Sequence, residues 1–112
     1  MTTDIQIFKN EQFGQIRVVE RDGEPWFVAV DICGALDIAN SRDALTRIDE
    51  DEKGVALTDT LGGAQEVAVV NEPGLYSLVL GSRKSEARAF KRWITHDVIP
   101  AIRKTGMYAT PA

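Results

Sequence analysis

Apolar and polar residues change their period several times along this chain, and each change marks an element. From Phe13 to Arg21 β-branched residues alternate with charged and polar ones, Asp22-Gly23 follows, and Pro25-Trp26-Phe27-Val28 resumes the apolar run. A strand, a tight turn and a second strand are predicted. From Ala29 the period lengthens: Val30, Cys33 and Leu36 recur at helical spacing, with Asp31 where the positive end of a helix dipole favours a carboxylate. A short helix over about 29–37 follows. Asn40 or Ser41 can cap a second helix by accepting bonds from free backbone amides, and Ala44, Leu45 and Ile48 supply its apolar stripe, ending near Asp49.

The run Asp49-Glu50-Asp51-Glu52 repels itself and predicts an exposed loop. Val55 to Thr58 and Glu66 to Val70, separated by Leu61-Gly62-Gly63-Ala64, form a second hairpin pattern. Asn71 then caps a helix that carries Pro73 in its first turn and the apolar face Leu75, Leu78 and Val79, stopping at Gly81. Ser82 or Ser85 opens the longest predicted helix, in which Ala87, Phe90, Ile94 and Val98 fall on one side at steps of three and four. Pro100 should kink or interrupt it, Arg103 and Lys104 suit its last turn, and Gly106 its end. Residues 107–112 read as tail. The predicted class is α+β: a mainly antiparallel sheet built from two hairpins, several short helices and one longer, basic carboxyl-terminal helix.

Charge changes the functional picture. The chain of 112 residues has a net charge of −4, which by itself disfavours a polyanionic partner. Residues 1–80, however, hold six Lys and Arg against fifteen Asp and Glu, a balance of −9, and residues 81–112 hold seven against two, a balance of +5. On a helical wheel at about 100° per residue, Lys84, Arg88, Lys91 and Arg92 share an arc separate from the apolar one. A cationic stripe on a docked helix fits phosphates, since each neutralised phosphate releases condensed counterions, and arginine can also read guanine edges. An ordinary solvated face fits the same pattern equally well. The two short helices over 29–37 and 41–48 have the separation of a helix-turn-helix, and Arg42 and Arg47 on the second are candidate DNA contacts. Asp37, Asp43 and Asp49 nearby oppose a polyanion, so a structural helix pair fits better.

Catalytic chemistry finds little to work with. There is one histidine and one cysteine, and no nucleophile elbow, glycine-rich phosphate loop or pair of metal-ligand spacings. No enzyme, cofactor or metal site is expected. His96 reads as a packed or solvated helix residue rather than a base, Cys33 as a small buried hydrophobe, and the acidic run as a loop without the spacing of an EF-hand. Trp26 and Trp93 are read as core rather than as platforms for bases. No basic start followed by an apolar run opens the chain and no stretch approaches the ~18 apolar residues of a membrane span. A cytoplasmic protein without a membrane partner is expected.

Several blocks in order resemble one family. They are Trp26-Phe27-Val28-Ala29-Val30-Asp31-Ile32-Cys33, Asn71-Glu72-Pro73-Gly74-Leu75-Tyr76-Ser77-Leu78, Ser82-Arg83-Lys84 with Ala87, Phe90-Lys91-Arg92-Trp93, and Val98-Ile99-Pro100 with Ile102-Arg103-Lys104-Thr105-Gly106 and Tyr108. From about Phe13 to Tyr108 the chain is similar to the Bro-N family, the amino-terminal domain of phage and prophage antirepressors and viral BRO proteins. The resemblance implies a module that regulates lysogeny and phage transcription in the bacterial host, by binding double-stranded DNA or by sequestering a phage repressor. It implies one domain over 1–108, with 109–112 as tail or the start of a linker to a further domain. Arg83, Lys84, Lys91, Arg92, Arg103 and Lys104 match the family's basic blocks, while Asn71, Gly74, Leu75 and Tyr76 match its scaffold. A Gly-Tyr pair often expected after Leu36 is here Asp37-Ile38, and the first 80 residues are unusually acidic. The acidic part suits a basic repressor surface, and a homodimer matching two DNA half-sites is a further possibility.

Overall fold

The first hairpin turn has the backbone that a two-residue connection needs. Asp22 and Gly23 both take positive φ, 53° and 78°, a combination that matches the twist of the flanking strands. The computed structural model describes residues 5–60, 63–82 and 84–104. The turn joins β2 (Gly14–Arg21) to β3 (Glu24–Val28), and β4 (Lys53–Thr60) with β5 (Gly63–Val70) makes the second hairpin, as the sequence predicts. A strand the sequence reading leaves unassigned, β1 (Ile5–Asn10), pairs antiparallel with β2 from Ile5 opposite Val19 to Asn10 opposite Gly14. It is an edge strand whose side chains are at most half-buried, so its alternation carries a weak signal. The sheet is antiparallel throughout, in the order β1-β2-β3-β5-β4.

The hairpins share only two residue pairs, Phe27 with Val70 and Val28 with Val69. Both strands end there because a helix begins: α1 (Ala29–Ala35) follows β3 directly, and α3 (Glu72–Gly81) follows β5 after Asn71. Asp31 of α1 covers the rung of the ladder that β3 leaves open. Its Oδ2 accepts from the backbone N–H of Arg17 at 2.9 Å, and its carboxylate receives the Arg17 guanidinium at 2.9 and 3.0 Å. That hydrogen-bonded carboxylate holds the Arg17 guanidinium above its ordinary pKa.

All the described helices pack on one face of the sheet. Ile16, Val18, Phe27 and Val70 of the strands join Ile32, Leu36, Leu75, Leu78, Phe90 and Ile94 in the main core. The opposite face carries a second cluster of Val19, Val28, Ala56 and Val69, bordered by Ile5, Trp26 and Val67, with no helical member. Arg21 lies over the Trp26 ring, 5.1 Å from its centre, and its guanidinium donates to the carbonyl of Val55 in β4. Two strands separate Arg21 from Val55 in the sheet order, so the sheet curls toward this face and shelters the valines without a second helical layer. Trp26 is therefore half-buried under Arg21 rather than sealed in the core.

Helix α2 (Ser41–Thr46) is capped by Asn40, whose Oδ1 accepts from Asp43 N–H at 3.0 Å, and α3 by Asn71, whose Oδ1 accepts from Gly74 N–H at the same distance. Helices α1 and α2 stop at Ala35 and Thr46, each two residues short of the predicted end. The acidic run forms a 3₁₀ turn, Glu50–Glu52, that leads straight into β4.

The last helical run departs most from expectation. It begins at Ala87, not at Ser82 or Ser85, so Lys84 lies in the preceding loop and does not belong to the helical stripe. Helix α4 (Ala87–Trp93) continues through a π turn, Ile94–Val98, into α5 (Ile99–Lys104). Pro100 has no N–H to offer the carbonyl four residues back, and the wider turn sits immediately before it, with Ile99 N–H donating to the carbonyl of Ile94. The π turn also serves packing. Phe90, Ile94, Val98 and Ile102 are all fully buried, at a constant spacing of four. In an α-helix each such step drifts by about 40°, so three steps would carry the stripe about 120° around the axis. One turn that holds an extra residue takes back part of that drift and keeps all four on the core.

Phe90 sits at the centre of this contact, with its ring edge-on to Phe13 at 5.2 Å and to Trp93 at 6.0 Å. Phe90→Ala is expected to lower unfolding free energy by about 3–5 kcal/mol, the range for truncating a buried phenylalanine. Equilibrium denaturation with urea measures it.

Candidate nucleic-acid interface

The exposed side of the last helical run is built by what its other side buries. Ala87, Phe90 and Ile94 face the core, which turns Arg88, Lys91 and Arg92 outward, all three exposed. Together with Ser85, Ala89, Thr95 and His96 they line an open groove of about 490 Å³. Among the described residues, no acidic side chain lies within ion-pair distance of Arg88, Lys91 or Arg92. The ammonium of Lys91 stands 5.9 Å from the centre of the Tyr76 ring.

A second concavity, of about 410 Å³, shares Ala89, Arg92 and His96 with the first and continues over Trp93 and Asp97 to Asn10, Gln12 and Phe13. The turn between β1 and β2 is held in place by Asn10, whose Oδ1 accepts from the N–H groups of Gln12 and Phe13 at 2.8 and 3.1 Å. Phe13 in turn stacks near Trp93, with ring centres 6.3 Å apart. One polar ridge of Arg92 and His96 thus stands between two shallow hollows on the helix surface. His96, neutral and so outside the charge pattern of the sequence, lies four residues beyond Arg92, the spacing that puts two side chains on one face.

The other basic candidates are not gathered here. Lys84 is engaged elsewhere: its ammonium donates to the carbonyl of Ala35 at 3.0 Å and pairs with Asp37 at 3.3 Å. Arg42 and Arg47 lie exposed on and just after α2, and Arg47 pairs with Asp43 at 2.5 Å. Arg47 borders a separate small cavity with Ile38, Ala44, Ile48, Ser77, Leu78 and Gly81. Arg83 lies outside the described residues, and of Arg103 and Lys104 only the helical backbone is described.

Comparison with known proteins decides the family. The sequence profile of the BRO family, N-terminal domain, matches residues 15–100. The chain is a Bro-N domain. It is 42% identical over 94 residues to an uncharacterized protein of Haemophilus influenzae, covering 81% of this chain and 46% of that protein. A putative Bro-N domain-containing protein of Invertebrate iridescent virus 6 is 28% identical over 114 residues, covering 85% of this chain and 27% of its own length. One of Invertebrate iridescent virus 3 is 27% identical over 108 residues, covering 76% and 27%. The Bro-N chain thus spans less than half the length of these relatives. No solved structure matches it significantly.

The Bro-N domain's Asp37 occupies a backbone position suited to glycine, with φ 55°. It ends α1 in a Schellman arrangement: Ile38 N–H donates to Cys33 O at 2.8 Å and Asp37 N–H to Gly34 O at 3.4 Å. Aspartate is among the few residues besides glycine that tolerate this left-handed position, so the turn after α1 forms without a glycine. Among the described residues, no helix is long and apolar enough to cross a membrane.

Cys33 is buried in the main core, and burial pushes its thiol pKa up. The native thiol therefore stays protonated at pH values where the unfolded chain begins to ionise, so this group's contribution to stability is lost as pH rises. Labelling of Cys33 with a thiol reagent near pH 8 is expected to be slow in the native protein and to reach the rate of a free cysteine only in denaturant. Fast labelling of the folded domain would contradict its burial.

Proposed function

We propose that this Bro-N domain is a non-catalytic module that binds double-stranded DNA through the outward face of α4, as part of a phage or prophage antirepressor. The observation that carries the reading is the set of three exposed cations, Arg88, Lys91 and Arg92, none of them ion-paired among the described residues, presented by a helix whose opposite side is locked into the core. Such a surface holds its charges in fixed register and loses little side-chain packing when phosphates arrive. Asp97 lines the neighbouring hollow beside Arg92 and His96, but it does not line the groove that holds Arg88 and Lys91. The groove along the helix gives a phosphate backbone a place to lie, and Thr95 and His96 extend its polar lining.

Three neutralised phosphates give a slope of log K against log salt of about −2.7, from about −0.9 for each. Fluorescence anisotropy of duplex DNA over a salt series measures it. Changing Arg88, Lys91 and Arg92 together to Glu is expected to abolish binding, and a response independent of salt would count against the interface.

A second reading rests on the acidic side of the molecule. Asp43, Asp49, Glu50 and Asp51 are exposed along α2 and the 3₁₀ turn, a surface suited to a basic partner such as the DNA-binding face of a phage repressor. On that reading, reversal of Glu50 and Asp51 to Lys slows association with such a repressor, as surface plasmon resonance would record, whereas an unchanged on-rate removes this turn from the contact.

A further inference from the structure

The α3–α4 loop contains Ser82 and Lys84, and both reach back to the end of α1. Ser82 Oγ donates to the carbonyl of Leu36 at 3.1 Å and accepts from the backbone N–H of Lys84 at 3.1 Å. The Lys84 ammonium donates to the carbonyl of Ala35 at 3.0 Å, pairs with the Asp37 carboxylate at 3.3 Å, and lies 5.8 Å from the centre of the Phe13 ring. These are the carbonyls a helix end leaves without partners, and a cation there also meets the negative end of the helix dipole.

An ammonium has three N–H groups. A carbonyl, a carboxylate and an aromatic face already surround that of Lys84, and its side chain is only 21% exposed. Phe13, the aromatic face, is the same ring that packs against Phe90 and Trp93 of α4. The loop thus connects three parts: the end of α1, the β1–β2 turn and the first turn of the basic helix.

We infer that Ser82 and Lys84 are positioning residues that clamp the start of α4 to the end of α1 and so set the orientation of the Arg88, Lys91 and Arg92 face, and that Lys84 makes no phosphate contact itself. The inference rests on the DNA-binding reading for its functional consequence, and on the geometry alone for the clamp. It separates two roles that the basic blocks of the sequence do not distinguish. A contact residue neutralises a phosphate and so contributes to the salt slope, whereas a positioning residue changes affinity at every salt concentration alike.

The test compares wild type, Ser82→Ala, Lys84→Met and Arg88→Gln in duplex binding across a salt series, at a temperature where circular dichroism shows every variant folded. Ser82→Ala and Lys84→Met are each expected to weaken binding about fivefold at all salt concentrations, roughly the worth of one ordinary hydrogen bond, with the wild-type slope retained. Arg88→Gln is expected to make the slope shallower by about 0.9. A shallower slope for Lys84→Met would make it a phosphate contact and overturn the inference. Folded Ser82→Ala and Lys84→Met proteins that bind like wild type would reduce the clamp to stability alone and overturn it too. If wild type binds no duplex at any salt, the DNA reading fails, and amide NMR shifts still decide the clamp. Displaced resonances for residues 88–92 in Ser82→Ala support it, and unmoved ones refute it.

Discussion

The burial of Phe90, Ile94, Val98 and Ile102 against the sheet is the constraint on which the other features of this domain depend. Each fully buried apolar side chain contributes about 1.5–3 kcal/mol, more than any surface ion pair, so the helix orients by this stripe and not by its charges. A spacing of four does not fit an α-helix over three steps, and the chain meets the mismatch with a π turn next to a proline that could not complete the regular bonding in any case. The cationic face is a consequence of that docking. Arg88, Lys91 and Arg92 point outward because Ala87, Phe90 and Ile94 point in.

The sheet presents the helices with only one of its faces, and the other is protected by shape. Because β3 and β5 are each cut short by a helix, the two hairpins meet over two residue pairs and are free to curl about that junction. Arg21, laid over Trp26 and bonded to the carbonyl of Val55, closes the curl. Four strand residues are thereby buried with no second layer of helices, an economy suited to a domain of this length. The bidentate Arg17–Asp31 pair secures the same junction from the helical side, and it also satisfies a backbone N–H that the end of β3 would otherwise leave open.

Charges differ in how they are paired: Arg47 and Lys53 meet Asp43 and Glu50, whereas Arg88, Lys91 and Arg92 have no acidic partner among the described residues. The acidic residues of α2 and the 3₁₀ turn are exposed, and the helix groove collects the three cations. A net charge of −4 consequently describes neither surface. Lys84 shows the limit of counting charges: its positive end is used to terminate α1, next to an Asp37 held at positive φ, and it has little left to offer a ligand.

Much of the fold was legible in the sequence because it is written in local chemistry. Asp22-Gly23 specifies its turn through positive φ, Asn71 caps α3 with its own side chain, and the apolar period of 87–98 marks the docked face of the last helix. The Bro-N blocks gave the family, and the outward arc of Arg88, Lys91 and Arg92 followed from helical geometry. What the sequence left undetermined depends on contacts between distant residues. The edge strand β1 exists through its pairing with β2, and the loop before Ala87 carries Ser82 and Lys84, which bond to the end of α1. His96 joins the groove through its place beside Arg92, and the curl of the sheet through Arg21 reaching β4. Local propensity fixes what a few neighbouring residues can do; which carbonyl a lysine finds some fifty positions away is decided only when the whole chain has packed.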